Sequence, residues 1–141
     1  MTAYYLDTSV LVSALTREAA SPTVQAWLAN IDGELVISEW VSTEFASALS
    51  LKQRTKQIDA GFRVDARAEF ERLKAASFRI IEIERRHLQQ ATWLIDSPNS
   101  ALRAGDALHA ALAQLESLTL CTRDRTLAEN CLMLGIGALL L

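Results

Sequence analysis

The stretch Ala3-Tyr4-Tyr5-Leu6-Asp7-Thr8 decides the fold class of this chain. Its apolar run, 3–6, predicts a short buried strand, and an acidic residue and a helical pattern follow directly. Four further apolar runs of strand length alternate with helical patterns along the 141 residues. Strands that alternate with helices indicate parallel pairing, so we expect an α/β fold: a three-layer α/β/α sandwich around a parallel five-stranded sheet.

The remaining elements follow from periodicity and from start and stop signals. The other predicted strands cover 35–37, 78–83, 118–121 and 138–141. The predicted helices cover 8–16, 21–30, 38–56, 59–76, 86–95, 103–116 and 125–134. Ser21 before a proline and Ser38 are expected N-caps, and Thr126 with Glu129 has the spacing of a capping box. There is no repeat, low-complexity tract or long linker, which predicts a single domain over 1–141.

Composition is that of a globular protein, with 50% hydrophobic and 22% charged residues. The net charge of −3 gives no overall basic field, which weakens a nucleic-acid function without excluding it. No apolar run reaches the ~18 residues that cross a bilayer. The first residues enter a strand without a basic segment, so we expect no signal peptide and a cytoplasmic protein. Cys121 and Cys131 have neither metal-ligand nor disulfide spacing and are expected to be reduced, buried thiols.

Four acidic residues stand where this fold would bring chain segments together. Asp7 ends the first strand, and Asp124 follows the fourth strand after two residues. Asp106 opens an Ala/Leu-rich helix, and Glu44 lies on the flank of an apolar helical stripe. The carboxyl ends of parallel strands share one crevice, where crowded carboxylates repel each other unless a cation neutralises them. The pattern therefore predicts a site for Mg²⁺ or Mn²⁺ that activates water and neutralises a phosphodiester.

Each acid also has a structural interpretation. Asp7 and Asp124 could cap the helices that follow them, although neighbouring hydroxyl residues could cap the same helices. Asp106 could be a charge placed in the first turn to suit the helix dipole. Glu44 could be an ordinary surface residue beside an apolar face.

Several basic and polar residues accompany these acids. Arg103, Arg123 and Arg125 are candidate phosphate contacts, with solvated ion-pairing arginines as the alternative. Thr122 offers a hydroxyl beside the predicted site. His87 and His109 are interpreted as structural, because hard cations prefer oxygen and the two histidines lack ligand spacing.

Taken in order, these residues resemble the PIN-domain family, and within it the VapC-like toxins of prokaryotic toxin–antitoxin pairs. The segments that carry the resemblance are 5–12, 37–46, 102–109, 120–124 and 134–136. The resemblance implies strand order 3-2-1-4-5 and a Mg²⁺- or Mn²⁺-dependent endoribonuclease acting on RNA. It also implies a homodimer and a cognate antitoxin partner. The family's acidic positions are matched by Asp7, Glu44, Asp106 and Asp124, and its supporting hydroxyl positions by Thr8 and Thr122.

Two other functions remain as alternatives. A haloacid-dehalogenase-like phosphatase also places an aspartate after its first strand, but it needs a second aspartate two positions later, where this chain has Ser9. A catalytically inactive RNA-binding or protein-interaction module would be favoured by loss of an acid, and all four acids are present.

Overall fold

The computed structural model, which describes residues 2–141, is a parallel five-stranded sheet flanked by helices, with strand order β3-β2-β1-β4-β5. The strands are β1 Ala3–Leu6, β2 Glu34–Ser38, β3 Phe78–Ile81, β4 Thr119–Thr122 and β5 Ala138–Leu140. The helices are α1 Thr8–Leu15, α2 Ser21–Asn30, α3 Glu39–Arg54, α4 Ala60–Ser77, α5 Arg85–Asp96, α6 Ala104–Leu115 and α7 Arg125–Met133. The predicted fold class and strand order are confirmed.

The first strand lies at the centre of the sheet. It pairs in parallel with β2, where Tyr5 lies opposite Val36, and with β4, where Leu6 lies opposite Cys121. A central parallel strand is covered on both faces, and the side chains of Tyr5 and Leu6 are fully buried. The backbone N–H of Asp7 still donates to the Cys121 carbonyl at 3.1 Å. The sheet thus holds Asp7 at the end of its central strand.

The helices bring further residues to the same edge of the sheet. The middle of α6, from Ala107 to Ala113, is buried throughout. Its small alanine side chains let the helix lie close to its neighbours. On the other side, Phe45 of α3 stacks on Phe70 of α4 with ring centroids 4.5 Å apart. This contact joins the two long helices and fixes the face of α3 that carries Glu44.

Two predicted helix caps are wrong, and a third residue stands at its predicted position without making a cap hydrogen bond. Ser21 lies inside α2, and its hydroxyl donates to the Thr16 carbonyl at 2.8 Å. Ser38 does occupy the N-cap position of α3, but its hydroxyl makes no cap hydrogen bond and lies 2.8 Å from the Tyr5 hydroxyl instead. The predicted capping box of Thr126 is replaced by Asp124, which is the N-cap of α7.

Other sequence expectations can be compared directly. Element bounds agree with the predictions to within two residues, and the largest differences are the shorter β3 and the earlier end of α3. Cys121 and Cys131 are unpaired and buried, as expected. Among residues 2–141, no helix combines the length and the apolar character needed to cross a membrane.

Candidate active site

Asp7 is held by hydrogen bonds to both of its carboxylate oxygens. It is only 4% exposed. Its Oδ1 accepts from Ser9 Oγ at 2.5 Å and, as the N-cap of α1, from the Val10 N–H at 3.4 Å. Its Oδ2 accepts from Thr122 Oγ1 at 2.5 Å. Asp7 therefore does cap a helix, and the hydroxyl groups at the same time fix the orientation of its carboxylate.

Burial dominates the ionisation of Asp7. It raises the pKa of the carboxyl above its ordinary value, although His109, the two hydroxyl groups and the Val10 N–H act in the opposite direction. A buried carboxylate with a raised pKa is stabilised in its charged form when a cation lies beside it.

Glu44 projects from α3 toward α6 and is half-buried. Its Oε1 accepts from Thr8 Oγ1 at 2.7 Å and contacts His109 Nε2 at 2.5 Å. Burial raises the pKa of Glu44, but the hydrogen bonds from His109 and from the Thr8 hydroxyl outweigh it and lower that pKa overall. Its second oxygen, Oε2, lies 3.2 Å from the point where a Cβ on Gly105 would stand. The glycine leaves room for this carboxylate.

Asp106 experiences the charges of the other three acids. Burial is the largest cause that raises the pKa of its carboxyl, and the charge of Asp124 adds to it. His109 lowers that pKa, while Asp7 and Glu44 raise it. Because charges act over limited distances in a protein, this pattern means that the four side chains share one neighbourhood. We call Asp7, Glu44, Asp106 and Asp124 the acidic cluster.

Asp124 is the most exposed member of the acidic cluster. Its Oδ1 accepts from the Leu127 N–H at 3.2 Å, which is the N-cap bond of α7. Its own N–H donates to Thr122 Oγ1 at 2.9 Å. The capping interpretation of Asp124 is therefore correct, and one carboxylate oxygen is left without that bond.

The two predicted supporting hydroxyls each contact an acid. Thr8 donates to Glu44, and the fully buried Thr122 donates to Asp7. Ser9, which the sequence argument did not include, also belongs here: it donates to Asp7, and its oxygen accepts from the Arg123 N–H at 2.9 Å. A serine two residues after an aspartate that caps a helix is a local signal for such a bond.

His109, interpreted as structural, contacts one of the predicted acids: its ring lies between the Tyr5 hydroxyl, 2.8 Å from Nδ1, and Glu44. A signal existed, since His109 stands three residues after Asp106 and therefore on the same helical face. His87 does have a structural setting. Its Nδ1 accepts from the Glu84 N–H at 2.9 Å.

The three arginines proposed as phosphate contacts have different surroundings. Arg103 and Arg125 are exposed at the N-terminal ends of α6 and α7. Arg123 is half-buried and donates from Nη1 to the Leu141 carbonyl. Its Nε is buried and finds no hydrogen-bond partner in the described part of the chain. Arg123 thus has a structural contact, whereas the other two arginines face solvent.

Two grooves flank Glu44. One, of about 540 Å³, lies between α1 and α3, and its polar lining is Thr8, Ser9, Ser13, Glu18, Glu44, Ser47 and Arg123. The other, of about 470 Å³, is apolar and lies between α3, α5 and α6; its lining includes Trp40, Ile83, Leu88, Gly105 and Leu108. Glu44 is the member of the acidic cluster that lines the first groove, whose walls also include Val12 and Leu51. Gly105, which lies next to Glu44 Oε2, lines the second groove.

The donor set of the acidic cluster fits a hard divalent cation. All of its donors are carboxylate oxygens, which Mg²⁺ and Mn²⁺ prefer. Within residues 2–141, however, no three Asp, Glu, His or Cys side chains lie close enough to enclose an ion as they stand. One reason is that Glu44 Oε1 and Asp124 Oδ1 are turned to protein donors. Mg²⁺ commonly keeps several waters and few direct carboxylates, so an open arrangement suits it.

Comparison with known proteins gives one family match and many structural matches. The family model for the PIN domain matches residues 4–131. No curated protein sequence matches the chain. The fold is similar to Mycobacterium tuberculosis VapC20, described as a Sarcin-Ricin loop cleaving toxin, with a TM-score of 0.69 and 18% identity over 89% of this chain and 93% of that one.

Two further solved structures have similar folds. FitAcB from Neisseria gonorrhoeae has a TM-score of 0.71 and 20% identity, with 96% of this chain and 95% of that one covered. VapBC2 from Rickettsia felis, bound to a DNA fragment from its promoter, has a TM-score of 0.67 and 16% identity, with 98% of each chain covered. At these identities the likeness concerns the fold.

Proposed function

The chain belongs to the PIN domain family, and from this membership and the acidic cluster we propose that it is a metal-dependent endoribonuclease. It hydrolyses RNA phosphodiester bonds, and residues 1–141 form one PIN-like nuclease domain. The observation that carries the proposal is the arrangement of the acids. Asp7 is buried and held by Ser9 and Thr122, Thr8 beside it holds Glu44, and the charges of the other three acids act on Asp106. A protein that keeps four carboxylates together in this way gains stability from a bound cation.

In the proposed site, Asp7, Asp106 and Asp124 hold Mg²⁺ or Mn²⁺, and Glu44 contacts the ion directly or through water. When bound, such an ion supplies an activated water and neutralises charge on the phosphodiester. The protein's own contribution is orientation. Thr122 and Ser9 hold Asp7 from opposite oxygens, and so the carboxylate does not have to reorganise during the reaction.

The substrate reaches the site along the groove between α1 and α3, which is lined by the exposed Ser47 and the half-buried Ser9. Arg103 and Arg125 contact backbone phosphates at the ends of α6 and α7. Arg123 contributes less, because its guanidinium already donates to the Leu141 carbonyl. RNA is proposed as the substrate on the strength of family membership, together with the neighbour described as a Sarcin-Ricin loop cleaving toxin.

We further propose that this nuclease is the cytoplasmic toxin of a toxin–antitoxin pair and acts as a homodimer. A structural neighbour described as a toxin-antitoxin complex from Klebsiella pneumoniae supports an antitoxin partner; its TM-score is 0.60 and its identity 20%, with 86% of each chain covered. Exposed apolar side chains support partner binding: Leu88 and Ile95 of α5 are 53% and 37% exposed and line the same groove. Single exposed apolar residues are common, but these two stand seven residues apart and so share one face of the helix, which indicates a contact surface.

The test is Mn²⁺ calorimetry followed by cleavage of single-stranded RNA. Asp7→Asn with Asp106→Asn should abolish both Mn²⁺ binding and cleavage. The matched control, Asp65→Asn with Asp96→Asn, makes the same change in net charge at two exposed positions and should leave both unchanged.

Two outcomes would contradict the proposal in different ways. A wild-type protein that binds Mn²⁺ and RNA but cleaves no RNA would be an inactive RNA-binding module. A wild-type protein that binds no Mn²⁺ would leave its acids as helix caps and surface charges, and the nuclease proposal would be wrong.

A further inference from the structure

A buried chain of polar side chains runs from the centre of the sheet to Glu44. Ser38 Oγ lies 2.8 Å from the Tyr5 hydroxyl, and that hydroxyl lies 2.8 Å from His109 Nδ1. The other ring nitrogen, Nε2, lies 2.5 Å from Glu44 Oε1. Ser38 and Tyr5 are fully buried and His109 is 2% exposed. Buried polar groups are costly unless all of them are paired, so the chain of contacts needs an explanation beyond packing.

Counting donors and acceptors assigns the protons along this chain. A carboxylate oxygen only accepts, so His109 Nε2 must carry the hydrogen that faces Glu44. In the neutral ring, Nδ1 is then an acceptor and requires a donor. Tyr5 is that donor, because its phenolic hydroxyl carries a hydrogen and lies 2.8 Å from Nδ1. Ser38 donates in turn to the Tyr5 oxygen, which completes the pairing.

This arrangement has a direct consequence for Glu44. Both of its hydrogen bonds, from Thr8 and His109, go to the same oxygen, Oε1. The other oxygen, Oε2, lies beside Gly105, in the first turn of the helix that carries Asp106. A glutamate has three rotatable side-chain bonds, and fixing it costs conformational entropy that these two donors offset.

We propose that His109 is a positioning residue, which holds Glu44 so that its Oε2 faces the other three acids of the acidic cluster. Tyr5 and Ser38 set the tautomer of His109. The inference rests on the proposed function, because it assigns a role inside the same site. His109 contacts Glu44 and does not itself bind metal in this proposal.

The chain contains a matched control for a buried histidine with a purely structural role. His87 is also fully buried, and its Nε2 lies 2.8 Å from Glu116 Oε1. Glu116 is the C-cap of α6, at the opposite end of the helix from Asp106. A general effect of removing a buried histidine should therefore appear in both variants, and an effect on the site only in the His109 variant.

The first measurement is the tautomer of the metal-free protein, by ¹H–¹⁵N correlation of the histidine rings. We expect His109 as the Nε2–H tautomer with Nδ1 accepting a hydrogen bond. Tyr5→Phe should shift the His109 ring signals and leave those of His87 in place. An Nδ1–H tautomer in the wild-type protein would overturn the proposed order of donors.

The second measurement is Mn²⁺ affinity by calorimetry. His109→Ala should weaken binding by about 10- to 100-fold, the range found for residues that orient metal ligands. His109→Gln, whose amide can still donate to Glu44, should restore part of the loss. His87→Ala should bind as the wild type does.

A double-mutant cycle with Glu44→Gln tests whether His109 acts through Glu44. If it does, His109→Ala should weaken binding much less in the Glu44→Gln background than in the wild type. Equal effects in both backgrounds, or a His87→Ala loss equal to that of His109→Ala, would overturn the inference. A wild-type protein that binds no Mn²⁺ would overturn it too, whereas one that binds Mn²⁺ but cleaves no RNA would contradict only the proposed activity.

Discussion

Asp7 combines two roles that are often treated as alternatives. It caps α1 through the Val10 N–H and is held by two hydroxyl groups. An ionised carboxylate has about four acceptor sites, so three hydrogen bonds do not exhaust it. A capping aspartate at the end of a parallel strand can therefore also face a ligand, and evidence for the cap is not evidence against the site.

Adding one methyl group at Gly105 tests whether Mn²⁺ binding depends on the space beside Glu44. In Gly105→Ala, the new Cβ would lie 3.2 Å from Glu44 Oε2 and 3.5 Å from Trp40 Nε1. Glu44 Oε2 has to give way only slightly at that distance, and alanine favours a helix over glycine by at most about 1 kcal/mol. We expect a stability equal to or above that of the wild type, measured by urea unfolding, and Mn²⁺ affinity lowered by about tenfold.

Gly61→Ala is the matched control, because Gly61 is likewise the second residue of its helix, α4. Its Cβ would make only ordinary contact, 3.5 Å from Asp59 Oδ1. It should gain stability by a similar amount without changing Mn²⁺ affinity. Unchanged Mn²⁺ affinity in Gly105→Ala would mean that Glu44 does not depend on this space.

Sequence alone could indicate the acids but not their partners. Asp7 and Asp124 are visible because each follows an apolar strand, and Asp106 because it carries charge into an apolar helix. The contact between His109 and Tyr5 joins residues 104 positions apart. It depends on how far α6 advances over β1, which periodicity does not specify.

At the scale of elements, α5 and α6 are joined by a cluster at the surface. Glu116, the C-cap of α6, contacts His87 and Arg86 of α5. The hydrogen bond to His87 is the largest cause that lowers the pKa of Glu116; burial acts in the opposite direction, and Arg86 lowers it further. The ionised carboxylate of Glu116 therefore joins α5 and α6.

The direction of this pKa shift gives a prediction about pH. A carboxyl whose pKa is lowered on folding stabilises the protein above its ordinary pKa, and the contribution disappears as pH falls through the folded value. Glu116→Gln should therefore be less stable than the wild type by about 1 kcal/mol at neutral pH, with the gap closing toward about pH 4. Urea unfolding at the two pH values measures both differences.

Glu129→Gln is the control for this comparison, since Glu129 is exposed on α7. Its stability should follow that of the wild type at both pH values. A Glu116→Gln deficit that stays constant down to about pH 4 would mean that packing, rather than charge, joins the two helices.

The residues that cap the helices were the feature of the elements that was hardest to predict from sequence. The apolar periodicity located every strand and helix, but which residue caps a helix depends on the competition for its side chain. Ser38 stands at the right place, yet Tyr5 takes its hydroxyl. Asp124 caps α7 because the turn after β4 aims its carboxylate at the Leu127 N–H. Such competition is settled only once distant strands are paired.

For the whole molecule, the net charge of −3 bears on how the proposed RNA substrate would be bound. Without a broad basic surface, few phosphates are neutralised, and affinity should depend only weakly on salt. Each contact on a single strand contributes a slope of about −0.7 in a plot of log affinity against log salt. If Arg103 and Arg125 make the main contacts, the slope should be about −1.4.

Fluorescence titrations of single-stranded RNA in the absence of metal measure this slope. Arg103→Gln with Arg125→Gln should reduce it nearly to zero. Arg72→Gln, which removes an arginine already paired with Glu69 on α4, should not change it. A steep wild-type slope that survives the double substitution would locate the RNA elsewhere on the surface.

The reactivity of the two native cysteines can report local unfolding of the protein. Burial raises the pKa of Cys121 and of Cys131 to about 12, so almost no reactive thiolate exists in the folded protein at neutral pH. Alkylation then requires local unfolding, and its rate measures how often that occurs. Cys121 lies in β4 beside Asp7, and Cys131 in α7, which Asp124 caps. Pulsed alkylation read by mass spectrometry can therefore time the opening of each side of the acidic cluster separately, with no engineered label.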